Sequence, residues 1–155
     1  MLWNYEIDTA YGVLKNTLHD IHPIHWAVSR SRGHRRLIES FATSIENPNV
    51  SDPDKFGQTP IYIAASNGYV DVIKVLAPLT ENPNAANVEG RTPILQAALY
   101  GHTNIIEFLA PLTDSPNAPS FRGLTPIQAA RMGWEIHRRD KARSDEIVNI
   151  LRSYQ

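Results

Sequence analysis

The sequence predicts an all-α repeat fold, a solenoid of helix-turn-helix units joined by hairpin-like turns. Two observations carry the prediction. The series Gly57, Thr59, Pro60, Ala64, Ala65, Gly68 returns 33 residues later as Gly90, Thr92, Pro93, Ala97, Ala98, Gly101. The downstream half keeps step, with Leu76-Ala77-Pro78-Leu79-Thr80 recurring as Leu109-Ala110-Pro111-Leu112-Thr113 and Pro83-Asn84-Ala85 as Pro116-Asn117-Ala118. Punctuation at a fixed period builds a stack of like units rather than one globular core. Function is therefore to be sought on a surface and not in a pocket.

Each element follows from its residues. In Asp54-Lys55-Phe56-Gly57-Gln58-Thr59-Pro60, Asp54 and Gly57 belong to a tight turn. Thr59 can cap the next helix through its hydroxyl, and Pro60 fits the first helical position, where a missing N–H removes no bond. Ile61, Ala64 and Ala65 make an apolar face of small residues, and Gly68 supplies a left-handed stop. Val70, Ile73, Val75, Leu76 and Leu79 then recur near the helical period with Asp71 and Lys74 between them, which predicts a second, antiparallel helix. Pro78 ends that helix near Leu76 or Ala77, and Pro111 acts likewise. Asn82-Pro83-Asn84 and Ser115-Pro116-Asn117 are turn chemistry leading to the next unit.

The ends are less regular. At the start, Asp8 can cap a helix carrying Tyr11, Leu14 and Leu18, which would cover the first unit. In the last unit Gly123, Thr125, Pro126 and Ala130 keep the pattern, but Gly133 comes one residue early as a helix stop. A second helix restarts only at Ser144-Asp145-Glu146-Ile147, after roughly ten residues beyond the repeat period. Trp134 to Arg143 either lengthens a helix or forms an exposed loop. Ile147, Val148, Ile150 and Leu151 are expected inside, with Asn149, Arg152 and Ser153 facing solvent.

The bulk composition excludes several classes. The chain has 155 residues, 42% of them hydrophobic, and its apolar runs fall far short of the about 18 residues a membrane span needs. No membrane insertion is expected. Glu6, Asp8, Lys15 and Asp20 interrupt the first thirty residues, so no secretory signal is read there. The absence of cysteine excludes a disulfide framework and thiolate metal sites, and suits a cytoplasmic or nuclear setting. A formal net charge of −1 gives no overall pull toward nucleic acid or membrane.

The G-x-T-P, Ala-Ala, Gly series at this period resembles the ankyrin repeat, most specifically over residues 54–118 and with modifications from about 22 to 151. His22-Pro23-Ile24-His25-Trp26-Ala27 resembles the family's T-P-L-H-x-A with His22 in place of Thr, and Gly33 follows two residues late compared with Gly68. Thr80 and Thr113 stand where the family has a glycine after its second helix. The resemblance implies one domain over residues 1–155, with a capping helix at 1–21 and repeats at 22–53, 54–86, 87–119 and 120–155. It also implies that His25 is a structural histidine bonded in a turn. Asn84 and Asn117 match the turn asparagine that hydroxylases modify in some ankyrin repeats, although prolines precede both.

Within the fixed frame, the residues that vary are where such a stack can choose a partner. At the turn tips and helix edges these are Lys55, Phe56 and Gln58, then Val88, Glu89 and Arg91, then Phe121, Arg122 and Leu124. The inner helices add Ser66, Asn67, Leu99, Tyr100 and Met132. Ankyrin-like stacks line a concave face with such positions, and Phe, Tyr and Arg are favoured anchors. The resemblance thus implies a noncatalytic, monomeric module binding a protein partner, with no cofactor. Phe56 and Phe121 have a competing structural use, bracing adjacent turns.

Other constellations point elsewhere with less force. His19, His22 and His25 are spaced by three, but Pro23 breaks the helix that would align them as metal ligands. Arg30, Arg32, Arg35 and Arg36, with Arg138, Arg139, Lys141 and Arg143, form two basic groups. They support an alternative reading as a nucleic-acid-associated adaptor, although no nucleic-acid-binding motif accompanies them. No phosphate loop or nucleophile motif points to an enzyme.

Overall fold

The computed structural model describes residues 23–30, 35–43, 48, 51, 56–137 and 140–155. The expected helix at 1–21, the residues His19 and His22, and the side chain expectations on Lys55, Arg32, Arg138 and Arg139 lie outside these residues. Among the described residues, helices occur in four successive pairs: α1 (Pro23–Arg30) with α2 (Arg35–Thr43), α3 (Pro60–Asn67) with α4 (Val70–Leu76), α5 (Pro93–Tyr100) with α6 (Thr103–Leu109), and α7 (Pro126–His137) with α8 (Lys141–Arg152). No strand occurs among the described residues.

The caps are those the sequence requires. Thr59 accepts a hydrogen bond from the Tyr62 amide and Thr92 one from the Leu95 amide, each at 3.1 Å, with proline at the first helical position. Gly68 and Gly101 close α3 and α5 in the left-handed region at φ 79° and 73°. The second helix of each central unit stops at Leu76 or Leu109, and a 3-10 turn carries the proline, at Ala77–Leu79 and Ala110–Leu112. That turn leaves Thr80 extended at φ −134°, ψ 145°, so no left-handed residue is needed there and threonine can stand in place of glycine.

Inner helices α1, α3, α5 and α7 stack on one another in chain order, and outer helices α2, α4, α6 and α8 form a second layer. The inner layer is tighter because its seams are made of Ala64, Ala65, Ala97, Ala98, Ala129 and Ala130, all buried. The outer layer is filled by Val72, Ile73, Leu76, Ile105, Ile106 and Leu109, each 0% exposed. Small residues on one side and large ones on the other curve a stack toward the small side. Leu79, expected within the packed pattern of α4, is 48% exposed, because the 3-10 turn rotates it off the helical face. Val72, which the sequence pattern passed over, takes the buried place.

The last pair corrects the reading of Gly133. This glycine does not end a helix: α7 runs through it to His137, and Gly133 is buried. A Cβ there would run into the backbone carbonyl oxygen of Leu99 on α5 and stand 2.9 Å from its carbonyl carbon. The missing side chain lets α7 lie closer on α5 than any other residue would permit. Residues 134–137 of the extra chain therefore lengthen α7 by about one turn. The second helix begins at Lys141, earlier than the expected Ser144, with Asp140 accepting from the Ala142 amide at 2.9 Å as its cap. Ile147 and Leu151 are fully buried, and Asn149, Arg152 and Ser153 are exposed, as the pattern required.

Candidate functional site

The candidate surface begins at the turns that precede α3, α5 and α7. Asn87 builds the second of these: its Oδ1 accepts from the Glu89 and Arg91 amides at 3.0 and 2.9 Å, and its own amide donates to the Arg91 carbonyl. Ser120 does the same work in the third turn, its amide donating to the Leu124 carbonyl and its hydroxyl accepting from the Leu124 amide. Successive tips are joined by one backbone bond each, Val88 donating to the Phe56 carbonyl and Phe121 to the Glu89 carbonyl, both at 3.0 Å. Side chains lie across glycines of the preceding turn, with Val88 on Gly57 and the Phe121 ring on Gly90.

This bracing leaves the tips largely in solvent: Phe56, Val88 and Phe121 are 66%, 61% and 81% exposed. Phe56 holds φ 56°, a left-handed conformation that is strained for a residue with a side chain. Arg122 is exposed, while Gln58, Glu89, Arg91 and Leu124 are half-buried at the roots of the tips. On the inner helices Ser66, Leu99 and Tyr100 are half-buried, and Asn67 and Met132 are exposed. Ser66 and Asn67 donate back to their own helix, to the carbonyls of Tyr62 and Ile63. None of the described candidate residues is buried, and Arg122, Leu124 and Met132 share one open groove with Gln128, Arg131 and Glu135.

Between tips and inner helices, three of the candidates, Glu89, Arg91 and Tyr100, gather around Tyr62, which the sequence does not single out. Tyr62, 5% exposed, has Arg91, Glu89 and Tyr100 around its hydroxyl. Arg91 also pairs with Glu89 at 3.2 Å. Burial pushes the Tyr62 phenol up to about 12, with Glu89 and Tyr100 adding to the rise and Arg91 opposing it. Because the folded value exceeds the ordinary 10, the phenol's contribution is complete below pH 10 and is lost as pH rises toward 12. Urea melts should therefore lose up to about 1.4 kcal/mol per pH unit in that window through this residue, and Tyr62→Phe should flatten the slope. An unchanged slope in the variant would place the titrating group elsewhere.

Polar bonds also tie one unit to the next. His25 Nε2 lies 2.9 Å from the Gln58 carbonyl, which is the structural use expected of it. Asn84, 6% exposed, accepts from the Ile94 amide in the first turn of α5 at 3.0 Å. Asn117 turns the other way and donates Nδ2 to the Leu151 carbonyl. Its Oδ1 is buried without a hydrogen-bond partner among the described residues. In place of that bond, α7 starts with a reciprocal cap, Thr125 accepting from the Gln128 amide and Gln128 Oε1 accepting from the Thr125 amide.

Of the two basic groups, the side chains of Arg35, Arg36, Lys141 and Arg143 are described, and those of Arg30, Arg32, Arg138 and Arg139 lie outside the described residues. Arg35 pairs with Glu39 at 2.7 Å along α2, and that exposed pair holds its guanidinium above the ordinary value. Arg36, Lys141 and Arg143 are exposed. Among the described residues no group of three or more His, Cys, Asp or Glu is placed to hold a metal ion, and no helix is long and apolar enough to cross a membrane.

Helix pairs stacked in chain order, with braced turns at the start of α3, α5 and α7, define a helical-repeat solenoid. Residues 24–120 match the family described as ankyrin repeats, in three copies, and the chain belongs to the ankyrin-repeat family. Repeats of this family are generally protein–protein interaction modules and typically not enzymes. A comparison with curated proteins finds no match.

Proposed function

We propose that the chain is a noncatalytic interaction domain of four repeats, at 22–53, 54–86, 87–119 and 120–155, with residues 1–21 as an opening cap. It binds a protein partner as a monomer through the concave face made by its turn tips and inner helices, in the cytoplasm or nucleus. The observation that carries this reading is the exposure of Phe56, Val88 and Phe121 on successive, mutually bonded tips. Large apolar side chains held out by a rigid frame lose little entropy when a partner covers them.

The test is alanine substitution once a partner has been isolated by affinity capture. Phe56→Ala, Arg91→Ala, Tyr100→Ala and Phe121→Ala are compared with Lys74→Ala and Glu107→Ala on the outer layer, each variant being checked by its melt. One or two of the inner four should weaken binding by about 2 kcal/mol, near thirtyfold in Kd, with the outer two neutral. Loss of binding on the outer substitutions alone would move the site to the convex side. A steep loss of affinity with salt for DNA or RNA would favour the adaptor reading instead.

A further inference from the structure

The last unit differs from the interior of the stack in three respects that converge on one groove. Positions buried at interior seams turn polar. Ala65 and Ala98 are 0% and 1% exposed, whereas the residue 33 positions on, Arg131, is exposed. Tyr62 and Leu95, at 5% and 0%, are likewise followed by exposed Gln128. A guanidinium is costly to bury, so these positions differ in kind from the apolar interior seams.

The carbonyls of Phe56 and Glu89 each accept an amide from the next tip, but the equivalent carbonyl of Arg122 receives none from a described residue. Finally, Arg122 on the tip and Arg131 on α7 face the groove from two elements, and neither forms an ion pair with a described residue. Glu135, the carboxylate lining the same groove, closes no ion pair with them. Leu124 and Met132 supply its apolar part, and Ile136, four residues beyond Met132 on the same helical face, continues it at 62% exposure.

We propose that this groove takes an extended segment of the protein partner in which acidic side chains alternate with large apolar ones. A main-chain N–H of the segment meets the Arg122 carbonyl and continues the ladder by one rung. Alternation along an extended chain sends carboxylates to Arg122 and Arg131 on one side and an apolar side chain onto Leu124 and Met132 on the other. The planar guanidinium suits a carboxylate, and the unbranched thioether of Met132 adapts to the apolar side chain. This rests on the reading of the chain as a protein-interaction domain and narrows it to one end and one chemistry.

The probe is a fluorescein-labelled peptide, Gly-Asp-Leu-Glu-Phe-Asp-Gly, with a counterpart carrying Lys at each acidic position, titrated by fluorescence anisotropy against the full chain. The acidic peptide should bind and the basic one should not. Arg122→Ala and Arg131→Ala should each weaken binding about tenfold, with melts unchanged because both side chains are exposed. Arg131→Glu should shift preference toward the basic peptide, and Arg152→Ala, exposed on α8, should have no effect. Equal binding of both peptides, no binding of either at millimolar concentration, full displacement by millimolar inorganic phosphate, or equal loss in Arg152→Ala would each overturn the proposal. If the peptide fails while an isolated partner still depends on Phe56, Arg91, Tyr100 or Phe121, the interaction domain stands and the acidic-segment assignment falls.

Discussion

Gly133→Ala is expected to destabilise the fold by about 3 kcal/mol, the upper end of what a forced methyl group costs in a packed interior. In an exposed helix the same change would stabilise by roughly 1 kcal/mol, because alanine is the better helix former. The sign reverses because the new methyl meets the carbonyl of Leu99, which is backbone and cannot rotate away. Gly123→Ala is the matched control. Its φ of 77° strains an alanine, but a Cβ there has nothing within 4 Å, so about 1 kcal/mol is expected. Thermal or urea melts decide the matter, and a Gly133→Ala variant as stable as the parent would remove the close contact between α5 and α7.

The two turn asparagines should differ although they occupy equivalent places. Asn84→Ala leaves the Ile94 amide without its acceptor in the buried first turn of α5, for an expected loss of about 2 to 3 kcal/mol. Asn84→Asp keeps an oxygen at that point, next to a helix N-terminus that favours negative charge, and should recover most of the loss. Asn117→Ala should cost no more than about 1 kcal/mol, because the Leu151 carbonyl it releases still accepts from the Tyr154 amide. The alanine also removes a buried oxygen that has no partner among the described residues. Equal losses at Asn84 and Asn117 would contradict this assignment of their roles.

The central units were the most legible part of the chain. Thr-Pro caps, left-handed Gly68 and Gly101, and the proline that converts the second helix to a 3-10 turn act within a few residues of themselves, so sequence spacing is enough to place them. Gly133 misled because a glycine near a helix end has two uses, stopping the helix or admitting a neighbour, and the neighbour, Leu99, lies 34 residues away. For the same reason sequence spacing does not single out Tyr62 as a member of the candidate surface. Its role depends on Arg91 and Glu89 from the next unit. The polar end of the inner layer was within reach, since Ala65, Ala98 and Arg131 are in register at the 33-residue period. What the period alone lacks is burial, which tells a changed seam from a changed surface.

The bond from the Ile94 amide to Asn84 makes one proton a clock for the contact between two units. First-turn amides have no acceptor within their own helix and ordinarily trade hydrogen for deuterium quickly. This one is held by a side chain from the preceding unit, so its exchange waits for that loop to lift while α5 itself stays wound. Its rate, compared with that of amides in the middle of α5, therefore separates parting of neighbours from unwinding. A ligand that clamps the second and third pairs together would slow this single proton before it altered any melting temperature.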